Sequence, residues 1–460
     1  MNTTDTEDFR RQPPAPLPVR ALNLPLPEES ALASGLRVVV VEQRRLPLVS
    51  FRLAFRAGDS NDPADLPGLT DVMTGMLTEG TESRSSRQIA EEVARYGATL
   101  SAGASSDYMT VAASSLSAYA DQALELLADV TLRPTFPESE LALAKANAQQ
   151  NLIAQRAQPS FLASEAVARV IFGQHPYAVV ASSPESIEAL SRDALIRQHR
   201  RLLVPNNAVL FVVGDVERAH ILARVEELFA GWRPGEVSEP EFPAPPARAE
   251  RVAYLVDRPG SAQTNILVAN TAITRTDPDY FPVLVMHTIL GGNASARLFM
   301  NLREEKGYTY GAYTQLDARR LAGSFRATTE VRGEVTGLSL KEIFYELQRI
   351  RDEDVSDKEL HDAQTYLTGI FPIRLETQEG LVDQLVQIRM HGLPEDYLRT
   401  YRDNLQRVTK ADVRRAAARC VTPDSAAVVV VGDRAQILEQ VAPYASRVED
   451  FVGAKGAGRG

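Results

Sequence analysis

The feature that most limits the fold of this 460-residue chain is that its second half repeats its first. Leu210-Phe-Val-Val leads into Gly214-Asp215, and much later Val428-Val-Val-Val leads into Gly432-Asp433. Glu140-Leu141, after a Pro-Glu-Ser cap, is matched at nearly the same interval by Glu359-Leu360 after Ser-Asp-Lys. The alternating run Phe325 to Val331 stands where Tyr108 to Ser114 stood. A period this long is far beyond the ~20–50 residues of solenoid repeats. It points to two α+β domains of about 200 residues each, each a largely antiparallel sheet packed with helices.

The punctuation sets the boundaries. Residues 1–30 read as an extended N-terminal arm, because Pro13, Pro14, Pro16 and Pro18 block helix. Residues 31–232 form the first domain. Residues 233–250, with Pro234, Pro240, Pro243, Pro245 and Pro246, are a semi-rigid linker, suited to act as a strap or hinge. Residues 251–446 form the second domain, and 447–460 a flexible tail. Within the first domain, Leu36 to Glu42 and Val49 to Phe55 are expected to pair as strands. Alternation with Ser50, Arg52 and Ala54 predicts that the second is half-buried. Ala98 to Ser115 reads as two strands of small residues turning near Ser105-Ser106-Asp107, and Ala208 to Val213 as a buried strand.

Composition excludes some functions. The net charge of −10 and the lack of a Lys/Arg-rich run argue against nucleic-acid binding. No apolar run approaches the roughly 18–20 residues of a membrane span. Cys420 stands alone, so no intrachain disulfide forms. The stretch from Met1 to Pro18 lacks a basic start followed by an apolar segment, so a cytoplasmic location is expected.

Four motifs, in order, carry a family resemblance. The first is Leu66-Pro67-Gly68-Leu69, leading through Met76-Leu77 to Gly80-Thr81. The second is Tyr96-Gly97-Ala98 with the strand Ala102 to Asp107. The third is Gln158-Pro159 with its helix, then His175-Pro176-Tyr177. The fourth is Ile289-Leu-Gly-Gly-Asn-Ala-Ser-Ala-Arg-Leu298, followed by Leu302-Arg-Glu-Glu-Lys-Gly-Tyr-Thr-Tyr310. Together they resemble the pitrilysin/insulinase peptidases, family M16, over about residues 30–445.

The resemblance implies a zinc helix, His-x-x-Glu-His, in which two histidines one turn apart grip the metal and the Glu activates its water. At those places this chain has Asp71, Thr74 and Gly75. A glycine has no ligand atom, and Thr74 cannot act as a base near neutral pH. The family's third ligand, a Glu well downstream of the helix, falls on Asn151, with Gln149 and Gln150 as neighbouring alternatives. No metal is therefore expected in this chain. A displaced site would have Asp71, Glu79, Asp107 and scattered histidines to draw on. His175, His199, His220, His287, His361 and His391 include no pair at i,i+3 or i,i+4, and read as surface or helix-cap residues. His175 is expected to be structural, in a turn fixed by Pro176.

The resemblance also implies an Arg and a Tyr, seven positions apart in the second half, that bind the substrate carbonyl and stabilise its oxyanion. Arg303 and Tyr310 have that spacing; Tyr308 does not. The bland alternative has Arg303 paired with Glu304 or Glu305 on a surface helix and Tyr310 in the core. Some bacterial members are heterodimers in which one subunit holds the metal and the other the Arg/Tyr pair. That implies an H-x-x-E-H partner holding Zn2+, and a peptide substrate. The strand at Ala102, Gly103 and Ala104 is the family's place for adding a substrate strand. A second reading is a structural scaffold subunit with no part in proteolysis.

Overall fold

The computed structural model describes residues 24–237 and 241–451. The first half comprises β1 (Glu28–Ala31), β2 (Arg37–Glu42), β3 (Leu48–Phe55), α1 (Leu69–Gly75), α2 (Ser86–Arg95), β4 (Thr99–Ala104), β5 (Met109–Leu116), α3 (Ala120–Leu132), α4 (Glu138–Arg156), α5 (Pro159–Phe172), α6 (Pro184–Ala189), α7 (Arg192–Leu202), β6 (Ala208–Gly214) and α8 (Arg218–Leu228). The second comprises β7 (Val252–Asp257), β8 (Gln263–Ala272), α9 (Tyr280–Gly291), β9 (Thr309–Ala318), β10 (Gly323–Arg332), α10 (Thr336–Asp352), α11 (Asp357–Arg374), α12 (Gln378–His391), α13 (Tyr397–Gln406), α14 (Lys410–Cys420), β11 (Ala427–Gly432), α15 (Arg434–Val441) and β12 (Arg447–Asp450).

The two six-stranded sheets have the same plan: β1-β2-β6-β3-β5-β4 and β12-β7-β11-β8-β10-β9. Each has a corresponding parallel pair (β2 with β6, β7 with β11) followed by antiparallel strands; the outer edges differ, β1 running antiparallel to β2 and β12 parallel to β7. The duplication is therefore one of fold. Two strands extend past the expected boundaries. Residues 28–30, expected in the arm, belong to β1, which pairs with β2; residues 447–450, expected in the tail, form β12 beside β7. The rest of the arm (1–23) and most of the tail (452–460) lie outside the described residues.

Two strand expectations need correcting. β2 and β3 do not pair with each other, because β6 runs between them, parallel to β2 and antiparallel to β3. β6 is buried along its whole length, as a central strand should be. Nor is β3 half-buried: both its faces are covered, and Arg52 alone of its inner residues stays part-exposed, paired to Asp383 at 3.1 Å.

The second cover comes from the other half. Leu210 and Val212 face the first domain's own helices, while Val209, Phe211 and Val213 pack in a core shared with Leu381, Val382, Leu385 and Val386 of α12. Reciprocally, Val428 and Val430 face the second domain's helices. Val429 and Val431 meet Ala163, Val167, Ile171 and Phe172 of α5. The two exchanged helices begin at Pro159 and Gln378, an interval that matches the sequence repeat. Strands covered on both faces read as unbroken valine runs instead of alternating ones, hence Val38 to Val41 and Val428 to Val431.

Polar contacts seal the same junction. The Tyr177 hydroxyl bonds Asp107, whose other oxygen accepts the Arg320 N–H at 3.0 Å. Arg319 reaches Ser106 at 3.2 Å, and Gln387 donates to the Tyr108 hydroxyl at 2.5 Å. The linker is strapped along the first half: Asn206 exchanges hydrogen bonds with Gly235, and Phe242 lies against the His175 ring at 5.6 Å. No helix among the described residues is long and apolar enough to cross a membrane.

Candidate functional site

The segment with the missing zinc ligands still folds as a helix, and the local sequence says why. Asp62 accepts the N–H of Gly68 (2.7 Å), the N–H of Thr70 (2.9 Å) and the Thr70 hydroxyl, satisfying donors orphaned at the start of α1. Gly68 sits at φ +91°, and a Cβ there would strike Ser182 Oγ, so glycine is required. Leu69, Met73, Met76 and Leu77 bury one face, and Val72 packs partly against the same core.

The opposite face opens on a cleft of about 970 Å³ lined by Asp71, Gly75 and Asn151. The structure therefore brings three of the four degenerate positions together. Thr74 does not join them. It is 1% exposed, and its hydroxyl donates to the carbonyl oxygens of Thr70 and Asp71, both at 2.9 Å. Nothing lies within 4 Å of where a Gly75 Cβ would be. The donor set of a carboxylate, a bare backbone and an amide does not fit zinc, which takes three or four thiolate, imidazole or carboxylate ligands. Among the described residues no group of three or more His, Cys, Asp or Glu is arranged to hold a metal ion. Asp107 is spent at the junction between halves, and Glu79 accepts the Ser86 hydroxyl at 2.7 Å.

Sequence reasoning missed the acidity of this cleft. Asp59, Asp62, Glu79 and Glu140 line it beside Asp71, and the lining includes no Lys or Arg. Burial, then repulsion from Asp62 and Asp71, pushes the Asp59 carboxyl up to about 7. Burial raises Asp62 to about 6 against the hydrogen bonds from Thr70 and Gly68. The walls also raise Asp71, although the residue itself reaches solvent. The string Asp59, Asp62, Asp65, Asp71 was visible, but the approach of Glu140 from α4 was not.

The histidines divide. His220 and His361 lie on the surface, and His175 caps a turn, its Nδ1 accepting the Tyr177 N–H at 3.1 Å. His199 bonds the Thr131 carbonyl, in the last turn of α3, at 2.8 Å, a helix-cap role. The other two depart from a surface or cap role: His287 bonds the Thr314 hydroxyl at 2.7 Å, and His391 is buried against the Tyr108 ring.

Arg303 and Tyr310 lie on the second half. Arg303 is on a wide π turn, Met300–Glu305, an element that recurs at functional sites. Gly307 at φ +64° ends the turn, the Tyr308 N–H returns to the Leu302 carbonyl at 2.9 Å, and β9 starts at Thr309. That reversal leads from the π turn of Arg303 directly into β9, at whose start Tyr310 lies. Tyr308 packs against the core, whereas Tyr310 is 91% exposed, so it is not the core residue of the bland alternative. Arg303 does meet that alternative in part, lying 3.6 Å from Glu304; its guanidinium also sits 4.8 Å over the Phe299 ring. The far end of β9 is the one that touches the first domain, through Arg319 and Ser106. At ~3.3 Å per strand residue, Tyr310 stands about 20 Å or more from that rim of the cleft. Ala102, Gly103 and Ala104 lie on β4, the outer strand of its sheet, and no neighbour approaches a Cβ placed on Gly103.

Fold and site together define a two-domain scaffold of the inverted zinc-helix peptidase type that lacks its ligands. The comparisons agree: residues 37–184 match the family model for insulinase (peptidase family M16), and residues 189–367 that for the peptidase M16 inactive domain. The chain belongs to peptidase family M16. A solved peptidase M16 inactive domain from Pseudomonas fluorescens is 30% identical, with a TM-score of 0.82, covering 88% of this chain and 98% of that one. The "Non-peptidase homolog YmxG" of Helicobacter pylori is 22% identical over 82% of this chain and 87% of its own length. The "Uncharacterized zinc protease YmxG" of Bacillus subtilis is 22% identical over 75% and 83%.

Proposed function

We propose that this chain is the non-catalytic subunit of a heterodimeric zinc endopeptidase. In that reading a partner with H-x-x-E-H supplies Zn2+ and the general base, and Arg303 and Tyr310 reach into the partner's site. The observation that carries it is the exposure of Tyr310, 91% open to solvent at the start of β9, with Arg303 on the π turn that leads into that strand. A large exposed tyrosine without a hydrogen-bond partner among the described residues contributes little to folding. A phenol and a guanidinium are donors suited to a developing oxyanion. β4, the outer strand of its sheet, with Ala102, Gly103 and Ala104, offers a place for an extended peptide to add.

The test is to co-purify the chain with an H-x-x-E-H homologue from the same genome and assay peptide cleavage. Tyr310→Phe is expected to lower kcat about 10²–10³-fold, the usual effect of losing one oxyanion donor. Arg303→Ala is expected to lower kcat/KM at least as much. Neither should move the melting temperature, because both side chains are exposed. Full activity in both variants would sink the shared-site reading and leave the scaffold role, to which the Arg303–Glu304 pair would then belong.

A further inference from the structure

We propose that the proline-rich part of the N-terminal arm, residues 13–20, docks in cis as a polyproline segment in an aromatic groove of the second half. This concerns neither the cleft beside α1 nor Arg303 and Tyr310, and it does not depend on the role proposed for that pair.

The groove, of about 560 Å³, lies between the loop that leads from β8 into α9 and the loop that joins α12 to α13. One wall is a stripe of α13: Tyr397, Thr400 and Asn404, followed by Arg407, at i, i+3, i+7 and i+10. The base is aromatic and firmly held. Phe281 stacks on Tyr397 at 5.9 Å and meets Tyr280 edge-on at 5.6 Å. The Arg275 guanidinium sits 3.7 Å over the Tyr280 ring, and its Nη2 donates to the Tyr397 hydroxyl at 2.6 Å. Its Nη1 is buried and has no partner among the described residues. Pro278 and Pro394 stand exposed on the two loops.

Three observations select the arm as the occupant. The first is where the chain leads. Leu24 packs against the core that α12 helps to form. Glu29 accepts a hydrogen bond at 2.8 Å from Arg389, in the last turn of α12, just before Gly392 and Leu393 of the groove. From Glu29 back to Pro18 the extended chain spans up to about 36 Å, against about 5 Å of helix from Arg389 to Gly392, so the prolines reach the groove. The second is length. Pro13 to Pro18 covers about 15 Å at ~3.1 Å per residue of polyproline helix, and Tyr397 to Arg407 rises about 15 Å along α13.

The third is chemistry. Aromatic-lined grooves take proline-rich segments because the rings pack on a backbone already fixed in conformation. Pro13, Pro14, Pro16 and Pro18 bring no N–H, so the segment offers mainly carbonyl oxygens, which polyproline geometry leaves unbonded. Arg275 Nη1 is the unanswered donor for one of them. Charge sets the direction. Glu395 and Asp396 are exposed beside Pro394, and neither side chain makes a hydrogen bond or ion pair among the described residues. They are the partners for Arg20, at the end of the segment nearer Leu24. The acids inside the groove are already paired, Asp277 with Arg419 and Asp412 with Arg415, which leaves that rim as the place for a cation.

The experiment uses the full chain with one cysteine in the arm, Ala15→Cys, and one in the groove, Asn404→Cys. The native Cys420 is buried and takes no part. Oxidised glutathione closes the disulfide, and mass spectrometry follows the intrachain bond, its rate corrected for the reactivity of each thiol alone. Closure is expected to be at least about ten-fold faster than for Ala15→Cys with Glu226→Cys, an exposed position on α8 of the first half. Pro13→Gly, Pro14→Gly, Pro16→Gly and Pro18→Gly together should slow it about ten-fold, and so should Glu395→Lys/Asp396→Lys. None of these positions belongs to a core, and circular dichroism checks that each variant keeps its fold. The proposal is overturned if the two cysteine pairs close at the same rate, or if either set of substitutions leaves the rate unchanged. It is also overturned if the product is a cross-linked dimer, which would make a second copy's arm the occupant.

Discussion

Rebuilding the metal site tests the assignment of its positions. The perturbation is Asp71→His, Gly75→His and Asn151→Glu together, three side chains that would enter one cleft. Each is tolerable by itself. Gly75 has ordinary helical dihedrals and empty space, so His there gains a few tenths of a kcal/mol in helix propensity. Asp71 and Asn151 are exposed, so their replacement stays within about 0.5 kcal/mol. The fourth family position behaves differently. Thr74 is buried and bonded to its own helix, so Thr74→Glu forces a carboxylate into the core, at a cost of about 3 kcal/mol or more. The triple variant should therefore bind one zinc, and at free zinc of 100 Kd gain about 2.7 kcal/mol of stability. Adding Thr74→Glu should lower stability without raising affinity. The assay is stoichiometry by metal analysis after dialysis, with melting curves with and without zinc. Tight zinc uptake by any single variant, or a folded triple variant that takes none, would show that the ligand positions are misassigned.

The remaining predictions concern the scaffold. Phe172→Ala removes a ring that is 2% exposed and belongs to α5 but packs on the second domain's sheet. It should cost about 3–5 kcal/mol, and denaturation followed by Trp232 in the first half should stay coincident with far-UV dichroism; separate transitions would refute the exchanged-helix weld. Glu359 is desolvated, yet the hydrogen bonds from Arg297 and Ser356 outweigh that and hold its carboxyl at about 2. Its contribution is full above the unfolded value of 4.5 and is lost as pH falls through 2, so Glu359→Gln should flatten the acid limb of a stability–pH curve in that window. Asp59 has the opposite sign. Its raised carboxyl takes up a proton on folding between about 4 and 7, so stability falls as pH rises through that range, and Asp59→Asn should raise the melting temperature more at pH 8 than at pH 5.

Much of this fold was legible because local rules and global repeat agree. Ser85 with Gln88 and Ser356 with Glu359 form the capping boxes that open α2 and α11, so those starts fell where the residues put them. The turn at Ser105-Ser106-Asp107 joins β4 to β5 as its composition suggested. Strand order was less legible. β6 enters between β2 and β3 from the far end of the first domain, and nothing in either neighbour's own sequence announces it. The alternation in β3 pointed to one wet face, but α12, from the other half of the chain, covers that face. The cleft shows the same limit: the sequence places Asp71, Gly75 and Asn151, while its acidity arises from α4 and the Asp59–Asp62 loop meeting in space.

The persistence of α1 without its metal follows from which face each residue serves. Leu69, Met73, Met76 and Leu77 hold the first core, Asp62 caps the helix start, and Thr74 closes hydrogen bonds inward. None of these interactions involves the side chain of a ligand position. The ligand positions point into open space, where a change to Asp, Gly or Asn costs little folding energy. Loss of the zinc ligands therefore leaves the domain intact, and with it the exchange of α5 and α12 that joins the halves. A chain free of the metal's demands can still carry Arg303 on its π turn and an exposed Tyr310 at the start of β9.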